Sequence, residues 1–306
     1  MAIVPIALVV FLLSLLIGYF VSQPLRVLAK KIAAYRNGDE SVDFTSNGTL
    51  AEADVLADDF KDLLETSLSQ CSDLARREKQ QMRFVGDVAH ELRTPLTAIR
   101  GNAELLQDPD LPPELHQKFC TTIITESERL TRLTNDLLSL QHIEGDDQIL
   151  DLSRVNLKSI AQEAVDALRP VLEDRQANVT IVGEAPDVLG NRDRLKQVVS
   201  NLVDNATHFI KPGGHIAVQL YGVEGNSVVA VKDDGEGFGD TDPKLLFERF
   251  YRTDSSRCRN TGGSGLGLSI VKSIVDAHDG TVEAFTPPEG GACFVVAIPS
   301  LPPDKN

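Results

Sequence analysis

The chain opens on an uninterrupted apolar run, Ile3 to Val21, IVPIALVVFLLSLLIGYFV, which carries no charge. As a helix it is long enough to cross about 30 Å of hydrocarbon. Polar and apolar positions then alternate at helical spacing, with Leu25, Leu28 and Ile32 on one face until Asn37-Gly38-Asp39 interrupts the pattern. A second amphipathic helix is predicted over about 49–70, with Leu56, Phe60, Leu63 and Leu64 on one side and acids on the other. Two longer helices follow. The first, 78–107, has Val85, Val88, Leu92, Leu96 and Ile99 at three-four spacing, and the second, 113–143, has Ile123, Leu130, Leu133, Leu137 and Leu140. Asp108-Pro109-Asp110-Leu111-Pro112 turns the chain between them. Two such helices do not bury their seams alone, whereas two copies of the pair make a four-helix bundle, so a homodimer is expected.

Beyond Asp151 the seams give way to mixed helices and short strands, and Glu144-Gly145-Asp146-Asp147 serves as the hinge. Strands are predicted at 178–182, 216–221, 227–232, 281–285 and 293–298, the second and third joined as a hairpin at Glu224-Gly225-Asn226. Helices at 156–175, 192–209 and 265–277 interleave with them. The domains expected are a membrane helix (1–22), a linker (23–76), a helical dimerisation domain (77–148) and a mixed α/β domain (149–306).

Charge and composition refine this outline. With 45 acidic and 30 basic residues in 306, a net charge of −15, the chain is a poor candidate for binding nucleic acid. Cys71, Cys120, Cys258 and Cys293 form no Cys-x-x-Cys pair, which favours reduced thiols over a zinc site or a disulfide framework. A cleaved signal peptide is the competing reading of the apolar run, but no cationic segment precedes it and no small-x-small site follows. Arg26, Lys30, Lys31 and Arg36 follow the run directly, which puts the rest of the chain in the cytoplasm.

Candidate chemistry begins with His90. It stands two residues from both Val88 and Leu92, about 200° around the helix from each, and so points away from the packed stripe. Glu91 is adjacent, Thr94 lies one turn on, and Pro95 removes an intrahelical hydrogen bond. Asn201 and Asn205 share a face of the 192–209 helix and offer neutral oxygen ligands of the kind magnesium accepts. Two asparagines at that spacing are more often merely solvated. VKDDGEGFG combines a strand, an aspartate and the turn glycines Gly235 and Gly237, while GGSGLGLSIV runs Gly263, Gly265, Leu266 and Gly267 into a helix, a phosphate-cradle arrangement. Neither a Walker A sequence nor a strict G-x-G-x-x-G occurs.

Together these stretches resemble the bacterial two-component sensor histidine kinases. FVGDVAHELRTPL resembles their H-box, LTRLTNDLLSLQHIE the second helix of their dimerisation domain, QVVSNLVDNATHF the N-box, VKDDGEGFG the G1 box, LFERFYR the aromatic-rich F-box and GGSGLGLSIV the G2 box. Pro24-Leu25-Arg26-x-Leu28, the Gly38-Asp39 connector and the second amphipathic helix resemble a HAMP linker, with a generic amphipathic stalk as the alternative. The resemblance implies a multidomain chain: an all-α membrane helix, HAMP linker and dimeric four-helix bundle, followed by an α/β sandwich of the Bergerat type shared with gyrase and the heat-shock chaperones. It implies that His90 attacks the γ-phosphate of ATP, that Glu91 takes or orients the imidazole proton, and that Thr94 positions water to dephosphorylate the partner. Asn201 and Asn205 would hold magnesium, and Asp233 rather than Asp234 would accept from the adenine amino group. Gly235, Gly237, Gly263, Gly265, Leu266, Gly267 and His208 would complete the nucleotide site. The phosphoryl group would pass to an aspartate of a separate response regulator.

Three positions depart from the family pattern: His208 stands where a lysine is frequent, Asn191 where an aspartate is usual and Asp279 where a glycine is usual. An imidazole, ordinarily titrating at about 6.5, replaces a permanent cation beside the phosphates. The three departures put phosphate affinity in doubt, and His208 keeps open a catalytically weak member acting mainly as phosphatase or scaffold; a non-kinase ATPase of the same fold leaves His90 unexplained. The apolar run begins almost at Met1, with no room before it for an external sensor domain. A truncated chain starting at the last span is the expectation, with sensing through the membrane or a partner as the alternative.

Overall fold

The structure, a computed structural model, describes residues 3–36, 39, 42, 44, 51–144, 151–252 and 264–302. The chain forms two compact units, Met1–Arg83 and Phe84–Asn306.

In the first unit, α1 (Ile3–Arg36) continues the apolar run into the basic segment without a break. Its described apolar side chains from Leu8 to Tyr19 are largely exposed. Among the described residues no helix is long and apolar enough to cross a membrane; the side chains of Ile3 to Ala7, Phe20 and Val21 lie outside them. A small cluster forms where Leu28 and Phe44 bury against Ile32, Tyr35, Val42 and Leu64. Tyr35 and Phe44 meet edge to face at 5.9 Å. The Asn37-Gly38 connector, the hinge after Glu144 and the side chains of Leu25, Leu56 and Phe60 fall outside the described residues.

The two helices predicted at 49–70 and 78–107 are one, α2 (Ala51–Leu105). The intervening QCSDLARR contains neither glycine nor proline, so nothing stops propagation. Pro95 sits inside α2. It has no N–H for the carbonyl of Glu91, one turn before it. After the turn, where Asp108 accepts from the Asp110 N–H at 3.0 Å, α3 (Pro113–Glu144) runs back.

The seam expectation needs correction. Leu133 and Leu140 are 3% and 1% exposed within a single chain, in a cluster that continues into the α/β domain. Val85 and Leu96 of the α2 stripe are 60% and 54% exposed, and Ile124 and Leu138, beside the α3 stripe rather than in it, are bare as well. The predicted stripe therefore divides: part packs within the chain and part remains uncovered.

In the α/β domain, β1 (Ser153–Val155) precedes α4 (Leu157–Ala167) and α5 (Arg169–Asp174). The single helix expected over 156–175 breaks at Leu168, because Pro170 fits the first turn of a new helix but not the interior of an old one. Asn156 caps α4 by accepting from the Ser159 N–H at 3.0 Å. Then come β2 (Asn178–Gly183), β3 (Val188–Gly190), α6 (Arg192–Phe209), β4 (His215–Val223), β5 (Asn226–Asp233), a 3-10 turn (Pro243–Phe247), α7 (Gly267–Asp276), β6 (Thr281–Phe285) and β7 (Cys293–Pro299).

Five strands make a sheet of order β2-β4-β5-β7-β6, with only the β2–β4 pair parallel. The short β1 and β3 pair separately. Glu224 and Gly225 both adopt positive φ, 48° and 80°, and make the expected hairpin between β4 and β5 with a two-residue turn, Asn226 already pairing with Val223. α4, α6 and α7 contribute Ile160, Leu202, Ile270 and Ile274 to a core shared with Ile216, Val229 and Phe294 of the sheet. This two-layer sandwich leaves the C-terminal half of α6 and the start of α7 beside one cavity.

Candidate nucleotide site and phospho-acceptor helix

A cavity of about 340 Å³ opens between α6, the segment before α7, and α3. Its lining includes Asn201, Asn205, His208, Gly237, Gly265 and Gly267 of the expected site. Gly263 lies outside the described residues. Leu266, fully buried, anchors the loop from beneath rather than lining the cavity. Asn201 donates from its amide to the Gly267 carbonyl at 3.2 Å, which leaves its carbonyl oxygen as the available ligand atom. A Cβ at Gly267 would meet nothing within 4 Å. The space at the N-terminus of α7 is therefore open, where backbone N–H groups suit an anion.

Asp233 and Gly235 sit just behind the lining. The Asp233 carboxylate, 3% exposed, accepts through Oδ1 from the backbone N–H groups of Gly235 at 2.9 Å and Ala292 at 3.1 Å. Burial raises its pKa; those two hydrogen bonds pull the other way, and Asp234 adds to the rise. Asp234 has a structural duty, accepting from the His215 N–H at 2.9 Å. Sequence reasoning missed Gly291: its φ is +80° and a Cβ there would stand 1.9 Å from the Asp233 carbonyl oxygen, so only glycine lets the chain before β7 reach Asp233.

The departures sort differently from expectation. His208 does line the cavity, its Nδ1 3.0 Å from the Asp204 carbonyl, which only accepts; Nδ1 therefore carries the proton and Nε2 is left for a ligand. Asn191 instead caps α6, accepting from the Arg194 N–H at 3.1 Å. Asp279 stands in the turn before β6 at φ 54°. Neither lines the cavity, so the expected effect of these two on phosphate affinity is withdrawn. His278 was unforeseen: buried, it meets the Ile274 carbonyl through Nδ1 at 2.7 Å and accepts from the Asn191 N–H through Nε2 at 3.0 Å.

Phe238 of the G1 stretch and Phe294 line the apolar end, and Phe238 and the F-box Phe247 pack edge to face on Phe294 at 5.4 and 6.3 Å. Phe250 reaches α2, with its ring 6.0 Å from Phe84, and the Arg249 guanidinium lies 5.0 Å over the same Phe84 ring.

His90 is exposed on α2, and Thr94 donates weakly to the His90 carbonyl at 3.4 Å. His90, Glu91 and Thr94 do not line the cavity. Glu91 is half-buried and paired with Arg129 of α3 at 3.1 Å; Arg129 also lies 3.7 Å from Glu126. The sequence reading missed this, and also missed that Arg129, Arg132, Asn135 and Asp136 of α3 line the cavity. Asp136 accepts from the Ser264 hydroxyl at 2.7 Å, and burial is the main cause of its raised pKa. The spacing of Arg129, Arg132 and Asp136 on one helical face was legible, but not what packs there.

Among the described residues no cluster of three His, Cys, Asp or Glu side chains could hold a metal. Magnesium here would rest on the asparagine oxygens and on ligand phosphates, the shared coordination that this ion favours.

Residues 80–146 match the His Kinase A (phospho-acceptor) domain, and residues 190–302 the histidine kinase-, DNA gyrase B- and HSP90-like ATPase domain. The sensor-like histidine kinase SenX3 of Mycolicibacterium smegmatis is 34% identical over 255 residues, covering 82% of this chain and 66% of that protein. The sensor histidine kinase MtrB of Mycolicibacterium paratuberculosis is 33% identical over 299 residues, covering 94% and 51%. The chain thus spans between about half and two thirds of the length of these two curated relatives. Among solved structures, full-length ShkA in complex with AMPPNP is 25% identical with a TM-score of 0.51, covering 69% of this chain and 44% of that one. Histidine kinase ThkA in complex with response regulator protein TrrA has the same fold at a TM-score of 0.60 and 24% identity, covering 75% and 65%.

Proposed function

We propose, for a chain that belongs to the two-component sensor histidine kinases with their HisKA and HATPase_c domains, that His90 is phosphorylated from ATP bound in the cavity beside α6 and α7. The observation that carries this is an exposed histidine on α2 in the same compact unit as a cavity lined by Asn201, Asn205, Gly265 and Gly267. The family to which the chain belongs comprises ATP-dependent protein-histidine phosphotransferases.

In the proposed step the unprotonated ring nitrogen of His90 attacks the γ-phosphorus, the bond to the ADP oxygen breaks, and Glu91 takes or orients the proton of the other ring nitrogen. Asn201 and Asn205 would hold magnesium, which offsets phosphate charge when bound. Asp233 would accept from the adenine amino group, while His208 and the loop around Gly265 would face the phosphates. A response regulator would then receive the phosphoryl group on an aspartate, as the pairing of ThkA with TrrA suggests. Thr94, exposed beside His90, would position water for the reverse dephosphorylation.

The bare Val85, Leu96, Ile124 and Leu138 support a homodimer joined along the hairpin, since water-exposed aliphatics at helical spacing ask for a second copy. The charge-free Ile3 to Val21 run, helical in α1 and followed by Arg26, Lys30 and Lys31, supports anchoring in the cell membrane through residues 1–22, with a HAMP linker over 23–76. The remaining divisions follow as a phosphotransfer domain over 77–148 and an ATP-binding domain over 149–306.

The test is incubation of the full chain in detergent with γ-labelled ATP. Acid-labile, base-stable label that vanishes in His90→Gln is the expected result; an ATP-binding protein that never acquires label refutes the kinase.

A further inference from the structure

We infer that Arg129 of α3 exchanges partners during the reaction: it is paired with Glu91 before nucleotide binds and turns to the γ-phosphate when ATP arrives, releasing Glu91 to receive the His90 proton. The inference rests on the kinase reading above and gives Arg129 two successive contacts, with Glu91 before nucleotide binds and with the γ-phosphate afterwards.

Three observations carry it. Arg129 belongs to two places at once, bonded to Glu91 at 3.1 Å and lining the cavity. One guanidinium serves two carboxylates, with Glu126 at 3.7 Å, and a Glu126 oxygen is buried without a hydrogen-bond partner. The cluster is thus one negative charge in excess, and its side chains are only 20–27% exposed, so solvent screens it weakly. The third observation is the cavity's own charge. Aspartates Asp136 and Asp204 line it, His208 stands in place of a permanent cation, and the fixed positive charges come from Arg129, Arg132 and Arg252. A triphosphate entering this cavity needs cations, and α3 supplies two.

The exchange is chemically coherent. A carboxylate oxygen that accepts from a guanidinium is engaged by that donor, so the pairing with Arg129 occupies Glu91 while it lasts. A γ-phosphate carries more charge than one carboxylate and matches the planar donors of arginine. Competition at Arg129 would therefore free Glu91 only when a γ-phosphate is present. ADP would not do so, and the base would stay masked when there is nothing to transfer.

The test compares magnesium complexes of a non-hydrolysable ATP analogue and of ADP, titrated into the full chain in detergent, so that turnover plays no part. Arg129→Gln should weaken the analogue about 10-fold, the scale of one lost hydrogen bond to a charged group, and leave ADP within about twofold. Arg129→Lys should recover part of the loss. Glu91→Gln should tighten the analogue roughly 3-fold or more by freeing Arg129, and the double variant should behave as Arg129→Gln does. A clamp that merely joins α2 to α3 predicts a lower melting temperature with an unchanged ratio of the two affinities, and that result overturns the exchange. So does a Glu91→Gln variant that binds the analogue no more tightly, a measurement that decides even if Arg129→Gln does not fold. Label on His90 with unmoved affinities refutes the exchange alone; shifted affinities without any label refute the kinase reading and leave the contest for Arg129 standing.

Discussion

Replacing Asp233 separates two duties carried by one carboxylate. Its Oδ1 accepts from the Gly235 and Ala292 N–H groups at 2.9 and 3.1 Å in a residue 3% exposed. Asp233→Ala orphans both donors. At about 1–3 kcal/mol for each unsatisfied buried donor, the loss is about 2–6 kcal/mol, a large share of a domain's stability. Asp233→Asn keeps a carbonyl oxygen for both donors and removes the charge whose burial raises the pKa. The sign follows from linkage: an acid whose folded pKa is raised contributes stability that is complete below its unfolded pKa and is lost as pH rises through the folded value. Asparagine, neutral throughout, keeps that stability at neutral pH, so its melting temperature should equal or exceed that of the parent. Nucleotide binding should respond in the opposite way. An amide N–H in place of Oδ2 sets a donor against the adenine amino donor, and the loss of a hydrogen bond to a charged group, about 1.5–3 kcal/mol, corresponds to about 10- to 150-fold weaker binding. Thermal melting across pH 4 to 8, paired with titration of a non-hydrolysable ATP analogue, reads both effects. An Asp233→Asn variant that binds the analogue as the parent does refutes the adenine assignment, and an Asp233→Ala variant that melts with the parent refutes the two-donor argument.

Four further outcomes are expected. Asn191→Ala should cost about 1 kcal/mol in urea unfolding, the scale of a lost helix cap, and leave analogue affinity unchanged. At Asp279, whose φ is 54°, a valine should cost about 1–3 kcal/mol and a glycine nothing measurable in the same assay. Chelating magnesium should weaken analogue binding to the parent and have no further effect on Asn205→Ala, as followed by titration with and without the chelator. Leu133→Ala should cost about 2–5 kcal/mol of packing and weaken the analogue, whereas Leu202→Ala, equally buried in the sandwich alone, should cost as much while leaving the ratio of analogue to ADP affinity unchanged.

Periodicity located the long helices and most strands because burial on one face writes its period into the sequence. The hairpin at Glu224-Gly225 was legible for a local reason, since two positive φ angles need residues that tolerate them. The break at Leu168 was also local, written in Pro170, but apolar periodicity runs through it and hid it. The pairing of β1 with β3 is not local: three-residue strands carry too little pattern, and only the fold brings Ser153 opposite Gly190. The motif glycines and asparagines of the cavity were legible by resemblance, while Gly291 was not, because its need for glycine comes from the Asp233 backbone at the end of the neighbouring strand. Asn191 and Asp279 show the converse error. Departures from a pattern read as changes in chemistry when one is a helix cap and the other a turn.

The division of labour on α3 explains why its chemistry stayed hidden. At 100° per residue, Arg132, Asp136, Arg129, Leu140 and Leu133 fall within about 100° of arc. The leucines that bury against the α/β domain and the charged groups that reach the cavity therefore share one face. A reading based on apolar spacing assigns that face to a partner helix, because alternating leucines and charges look the same in either setting. Burying Leu133 and Leu140 in the core of the α/β domain, where α3 meets α7, carries Arg129 and Arg132 to the cavity as a consequence of packing, and Asp136 meets Ser264 there at 2.7 Å. Two carboxylates at that cavity, Asp136 and Asp204, oppose a polyanion in a chain of net charge −15, and two of its three arginines arrive only when α3 docks. Nucleotide affinity and hairpin docking are thereby linked: a ligand that needs the α3 cations must stabilise the docked arrangement by the same free energy that docking contributes to its binding.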